Sequence, residues 1–133
     1  MKNLFILFSL VAITFFASCK KDNSIIPTTL SESIIGTWNL TSVKNGATEQ
    51  MPNLITSGQL IFDTNNNFMS VTNTFFGVEV TNQTYTVDDV NNILTTTKPS
   101  GKVTILKVLL DGKNITFTYT DDQNQFFTIK ASK

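Results

Sequence analysis

The 133-residue chain carries ten Lys, no Arg and ten acidic residues, so it is formally neutral, and it holds no His and a single Cys. A nucleic-acid binder would show a basic stripe with Arg. Lacking His, and with Cys19 alone, the chain is denied imidazole acid–base chemistry, Cys–His nucleophiles, His/Cys zinc sites and an internal disulfide.

Met1-Lys2-Asn3 is a short positive start, and Leu4 to Phe16 is almost wholly apolar, broken only by Ser9 and Thr14. That run of 13 residues is too short for a membrane-spanning helix, which needs about 20. Small residues Ala17-Ser18 and then Cys19 complete the n-region, h-region and cleavage site of a secretory signal. Phe16-Ala17-Ser18-Cys19 resembles the lipobox of bacterial lipoproteins, departing only in Phe16, where Leu is more usual. The resemblance implies that residues 1–18 are removed and that Cys19 becomes the lipid-bearing first residue, palmitate-type acyl chains forming the membrane anchor. Two or more such chains make a stable anchor, whereas one binds only marginally. Once Lys2 leaves, nine Lys remain against ten acids.

Residues 19–32 read as the lipidated Cys and a polar tether, with Pro27 and no sustained period. Ile25-Ile26 is an apolar exception, and Lys20-Lys21 suits either anionic headgroups or simple solvation. Residues 33–133 form the one domain the length allows.

From Ser33 onward Thr, Val, Ile, Phe and Tyr dominate, punctuated by Asn, Asp and Gly, which is strand and turn chemistry. Eight strands are expected, near 34–43, 57–63, 67–75, 78–87, 91–97, 102–110, 113–120 and 125–131. Asp63-Thr64-Asn65-Asn66-Asn67, Asp111-Gly112 and Asp121-Asp122-Gln123-Asn124 supply tight turns, because Asn, Asp and Gly tolerate left-handed backbone. The longest gap, about 44–56, suits a loop over one end. Two-residue alternation puts Ile34, Gly36, Trp38 and Leu40 on one face, and Ile115, Phe117 and Tyr119 opposite Thr116, Thr118 and Thr120. One apolar and one Thr-rich face describe an antiparallel sheet with one wet side. Eight such strands close into an all-β, up-and-down antiparallel barrel without exposed edges.

Ile35-Gly36-Thr37-Trp38 resembles the Gly-x-Trp motif at the start of lipocalins. The rest of residues 33–131 is similar to small lipocalin-like domains of bacterial lipoproteins: Leu60-Ile61-Phe62-Asp63 before an Asn-rich turn and Phe68, then Tyr85-Thr86-Val87-Asp88, then a final strand pair. The resemblance implies that Gly36 and Trp38 form the barrel base, the indole packing across it. It also implies an interior that holds a small hydrophobic ligand. The chain departs from lipocalins in its shortness and in lacking a helix after the last strand and disulfides.

Leu60, Phe62, Phe68, Ile105, Phe117, Tyr119 and Phe127 are the candidate cavity residues, with Tyr119 as an interior polar handle. An eight-stranded barrel is wide enough to be filled by such side chains or to hold one small ligand, and the sequence leaves both open. Asp63-x-Asn65-x-Asn67 matches the first ligands of a calcium loop but lacks its Gly and distal Glu, so it reads as a turn. Asp88-Asp89 and Asp121-Asp122 also read as turn residues. No catalytic residue, cofactor or metal site is assigned. Phe75-Phe76-Gly77 is either an exposed apolar tip or a strand end tucked into the core. The Asn-x-Thr triplets at Asn39, Asn82 and Asn114 match glycosylation acceptors that carry no meaning beside a bacterial signal. Two functions follow: a lipid-anchored envelope protein, at the outer membrane, binding a small hydrophobic ligand; or a filled barrel acting as an envelope-structural or protein/glycan interaction module.

Overall fold

The computed structural model describes residues 28–133; the expected signal segment, Cys19 and the expected tether up to residue 27 lie outside the described residues. Helix α1 spans Leu30–Ile34. Nine strands follow: β1 Gly36–Asn45, β2 Thr48–Glu49, β3 Ile55–Phe62, β4 Asn67–Thr74, β5 Gly77–Asp88, β6 Ile93–Thr97, β7 Val103–Asp111, β8 Asn114–Thr120 and β9 Phe126–Ser132. All neighbouring pairs are antiparallel, in the order β2-β1-β3-β4-β5-β6-β7-β8-β9, and β1 also pairs with β9, so the sheet closes on itself. The closed wall is the eight-stranded barrel expected from sequence. The two-residue β2 is a side hairpin on β1 within the 44–56 gap.

The start of the domain differs from expectation. Residues 30–32, read as the end of the tether, and Ile34, read as the start of β1, belong to α1. Thr29 caps the helix by accepting a hydrogen bond from the Glu32 N–H, the Thr-x-x-Glu spacing of an N-terminal capping box. Leu30 and Ile34, four residues apart on one helix face, are both buried in the core.

Closure depends on how β1 divides its pairing. Gly36 to Asn39 pair with β3, whereas Asn39 to Asn45 pair with β9, with a register shift between Leu40 and Ser42. A bulge of this kind bends the strand and increases its twist, letting one strand serve both neighbours. Gly58 on β3 makes room for the bend: a Cβ there would stand 2.5 Å from Leu40 Cδ1 and 2.9 Å from the Val71 carbonyl.

The turns alternate between two ends of the barrel. At one end, the base, lie α1, the β3–β4, β5–β6 and β7–β8 turns and Lys133. The opposite end, the mouth, holds the β1–β3 connection and the β4–β5, β6–β7 and β8–β9 turns. Asp63 Oδ1 accepts from the Asn65 and Asn67 N–H groups, both at 2.8 Å, and Asp121 Oδ1 does the same for Gln123 and Gln125. Asp88 caps Val90 and Asn91. Each carboxylate is thereby taken up by its own turn, and the Asn67 side chain, with the turn amides, holds the Asp63 carboxyl below its usual range. Asn66, Asn92 and Asn124 supply the left-handed residues these turns need. No helix among the described residues is long and apolar enough to cross a membrane.

Candidate functional site

The base is sealed around Trp38, 1% exposed. Its Nε1–H donates to the Ile34 carbonyl at 2.7 Å, which satisfies one of the acceptors left unpaired at the helix C-terminus. Lys133 Nζ lies 4.3 Å from the indole centroid and donates to the Ser33 and Ile35 carbonyls at 2.8 and 2.7 Å. It thus combines a cation–π contact with helix C-terminal capping. Gly36 enters at φ +122°, a region side chains rarely adopt, and a Cβ there would press on Lys133 at 3.3 Å. The Ser31 N–H and hydroxyl both donate to the Asp89 carboxylate at 2.7 Å, fastening α1 to the β5–β6 turn.

Above this plug lies an aromatic layer. Phe62 stacks on Phe68 at 4.7 Å, meets Tyr85 edge-on at 5.3 Å and faces Phe117 at 6.1 Å. The Tyr85 hydroxyl donates to the Asp63 carbonyl at 2.7 Å, tying the layer to the β3–β4 turn.

Toward the mouth the packing stops, and a cavity of about 600 Å³ opens. Ligand pockets range over roughly 300–1,000 Å³. Leu60, Phe68, Phe117, Tyr119 and Phe127 line it, joined by Leu40, Val43 and Ile129. Tyr119 stacks on Phe127 at 5.0 Å. Burial, and after it the Asp121 charge, push the Tyr119 phenol above its usual value.

One residue expected in the cavity, Phe62, stands elsewhere, and another, Ile105, borders the cavity although it is largely exposed. Phe62 is 2% exposed and belongs to the aromatic layer, not to the cavity wall. Ile105 is 62% exposed: along β7, Thr104, Leu106, Val108 and Leu110 turn inward, so Ile105 shares the outer row with Val103, Lys107 and Leu109. It nonetheless borders the cavity.

The wall is also more polar than expected. Ser70, Thr72, Gln83, Thr96 and Thr104 line it from β4 to β7. Thr96 is only 3% exposed. Lys98, Lys102, Asp121 and Asp122 stand at the mouth, where Lys102 pairs with Asp122. Nearby, Glu49 accepts from the Ser42 hydroxyl at 2.6 Å and from the Val43 and Met51 N–H groups, fixing the β1–β3 connection. The Phe75-Phe76 tip of the β4–β5 hairpin is exposed, Phe76 at 95%, with Val78 and Val80 continuing the apolar strip.

No family model matches the chain, and no curated protein matches it. Among solved structures it is similar to the crystal structure of Echinococcus granulosus fatty-acid-binding protein 1, with TM-score 0.47 and 15% identity over 76% of this chain and 98% of that one.

Proposed function

We propose that the chain is a bacterial envelope lipoprotein, cut before Cys19 and acylated there, whose barrel holds a small hydrophobic ligand at the outer membrane. The observation that carries the ligand reading is the cavity of about 600 Å³ above the aromatic layer, walled on one side by Leu40, Leu60, Phe117, Tyr119 and Phe127. Burying apolar ligand surface there supplies affinity at about 25 cal/mol per Å² without any catalytic group. The anchor reading rests on Phe16-Ala17-Ser18-Cys19 at the end of a short apolar run.

Native mass spectrometry of the secreted, unacylated domain, kept free of detergent, tests the first part. A discrete added mass lost on organic extraction supports a carrier; an unchanged apo mass after challenge with fatty acids and other lipids refutes it. Metabolic labelling of the full chain with an alkynyl fatty acid tests the second. Label lost in Cys19→Ser supports the anchor, and an unlabelled wild-type chain refutes it.

The second reading, an interaction module, draws on the exposed Phe75, Phe76, Val78 and Val80 strip. Its filled barrel is not what these residues build, so it stands as a surface property of a hollow barrel. A photo-crosslinker at position 76 that captures no protein in intact cells removes it.

A further inference from the structure

The cavity has two chemically different sides. Residues on β8, β9 and β1 present an apolar wall: Phe117, Tyr119, Phe127, Ile129, Leu40 and Val43. Across from it, β4 to β7 present Thr72, Gln83, Thr96 and Thr104, with Phe68 and Leu106 deeper toward the base. Strand order puts these two arcs on opposite sides of the barrel. Thr96 pairs with Thr104 across β6 and β7, so two hydroxyl-bearing side chains sit abreast on the inner face.

None of these four side chains has a hydrogen-bond partner among the described residues, whereas Ser70 on the same wall is bonded to Thr81. No fully enclosed side-chain polar atom lacks a partner there, so the Thr96 hydroxyl keeps its access through the cavity. All four groups are neutral. The charged residues stand only at the mouth, two basic and two acidic, and give it no net preference.

An unsubstituted hydrocarbon chain filling this space would strip water from that wall and return no hydrogen bonds. Each buried polar group left unpaired lowers affinity by roughly tenfold. A site that offers hydrogen bonds discriminates against a ligand lacking the matching group far better than an apolar pocket rejects a wrong size.

We propose that the barrel selects a facially amphipathic ligand, a hydrocarbon body with neutral hydroxyl or carbonyl groups along one face, in preference to a plain alkyl chain. The inference deepens the carrier reading and rests on it. The apolar face lies on Phe117, Tyr119 and Phe127, and the polar face meets Thr96, Thr104, Gln83 and Thr72.

The test is equilibrium dialysis of the full chain in nanodiscs, with empty nanodiscs subtracted, against cholanic acids that differ only in carrying none, one, two or three hydroxyls. Palmitate is the unsubstituted-chain control. The expected result is affinity rising about tenfold from the unsubstituted to the hydroxylated members, against the order of their hydrophobicity. Thr96→Val and Thr104→Val, each close to isosteric, should remove that gain and leave the unsubstituted acid bound equally well or better. Affinity that falls steadily with each hydroxyl, while palmitate binds, overturns the facial selection and leaves the carrier reading intact. No binding of any probe, palmitate included, overturns both.

Discussion

Trp38→Phe separates the structural role of the base from the function of the cavity. Phenylalanine keeps an aromatic ring at the same place but removes the indole N–H that donates to the Ile34 carbonyl. Ile34 is fully buried, and Lys133 bonds the Ser33 and Ile35 carbonyls rather than this one. The Ile34 carbonyl is therefore left without a partner, at a cost of about 1–3 kcal/mol. The smaller ring also gives up buried apolar surface, worth about 1–2 kcal/mol, and weakens the Lys133 cation–π contact. The total, about 2–5 kcal/mol, is a large share of the 5–15 kcal/mol that typically holds a domain folded. With a urea dependence of about 1–3 kcal/mol per M, the unfolding midpoint followed by far-ultraviolet circular dichroism should fall by roughly 1–2 M. Because Trp38 does not line the cavity, affinity for any ligand should be unchanged where the variant is folded. An unmoved midpoint would refute the plug. A variant of near-normal stability that loses its ligand would put Trp38 in the binding site instead.

Three further outcomes follow from the same structure. Gly36→Ala forces a side chain into a left-handed backbone against Lys133, so it should lower stability by about 1–3 kcal/mol by urea titration; a neutral result would refute the strained entry. Leu30→Ala should cost about 2–3 kcal/mol, since Leu30 is buried in the core, whereas a loose tether would make it silent in the same titration. Acid should destabilise the fold through its capping carboxylates. The Ser42 hydroxyl holds the Glu49 carboxyl below its usual range, and the Asn67 and Asn91 side chains do so for Asp63 and Asp88. A depressed folded value means that the unfolded chain takes up the proton first. The contribution is therefore whole above about pH 4 and is lost as pH falls through the lower folded values. Asp63→Asn should be less stable than wild type at neutral pH and lose less on acidification. Parallel curves for the two proteins would refute the assignment.

The strands were legible because alternation and turn residues agreed: Ile115, Phe117 and Tyr119 face inward between an Asp-Gly turn and an Asp-capped turn. The strand at β7 was legible but its facing was not, since it is apolar on both faces. Val103, Ile105 and Leu109 point out while Leu106, Val108 and Leu110 point in, leaving no period to choose between them. The polar wall was hidden for the opposite reason. Thr95, Thr96 and Thr97 are consecutive, and only the pairing of Thr96 with Tyr85 and Thr104 puts it inside. Helix α1 did leave a signal, Thr29-x-x-Glu32 followed by buried Ile34, but five helical residues are too few for a period to emerge from a polar segment. Glu49 left none, because its partners Ser42, Val43 and Met51 are joined only by the fold of the β1–β3 connection.

The unequal ends of the barrel explain how it can be hollow and still close. The indole, the aromatic layer, α1 and Lys133 concentrate their packing and capping at the base. Thr72, Gln83 and Thr104 of the polar wall are only partly buried, and a Thr-to-Val change at Thr96 keeps the volume of the side chain, so little dispersion contact is lost when the chemistry of this wall changes. Thr96→Val keeps the shape of the side chain and exchanges a hydroxyl without a partner among the described residues for a methyl group. Such a change is expected to leave stability within about 0.5 kcal/mol of wild type or to raise it slightly. Base substitutions and wall substitutions should therefore fall into separate classes, the former moving the unfolding midpoint and the latter moving ligand preference. A Thr96→Val variant that unfolds as readily as Trp38→Phe would mean that the hydroxyl holds the barrel together, and that the wall is built for folding rather than for a ligand.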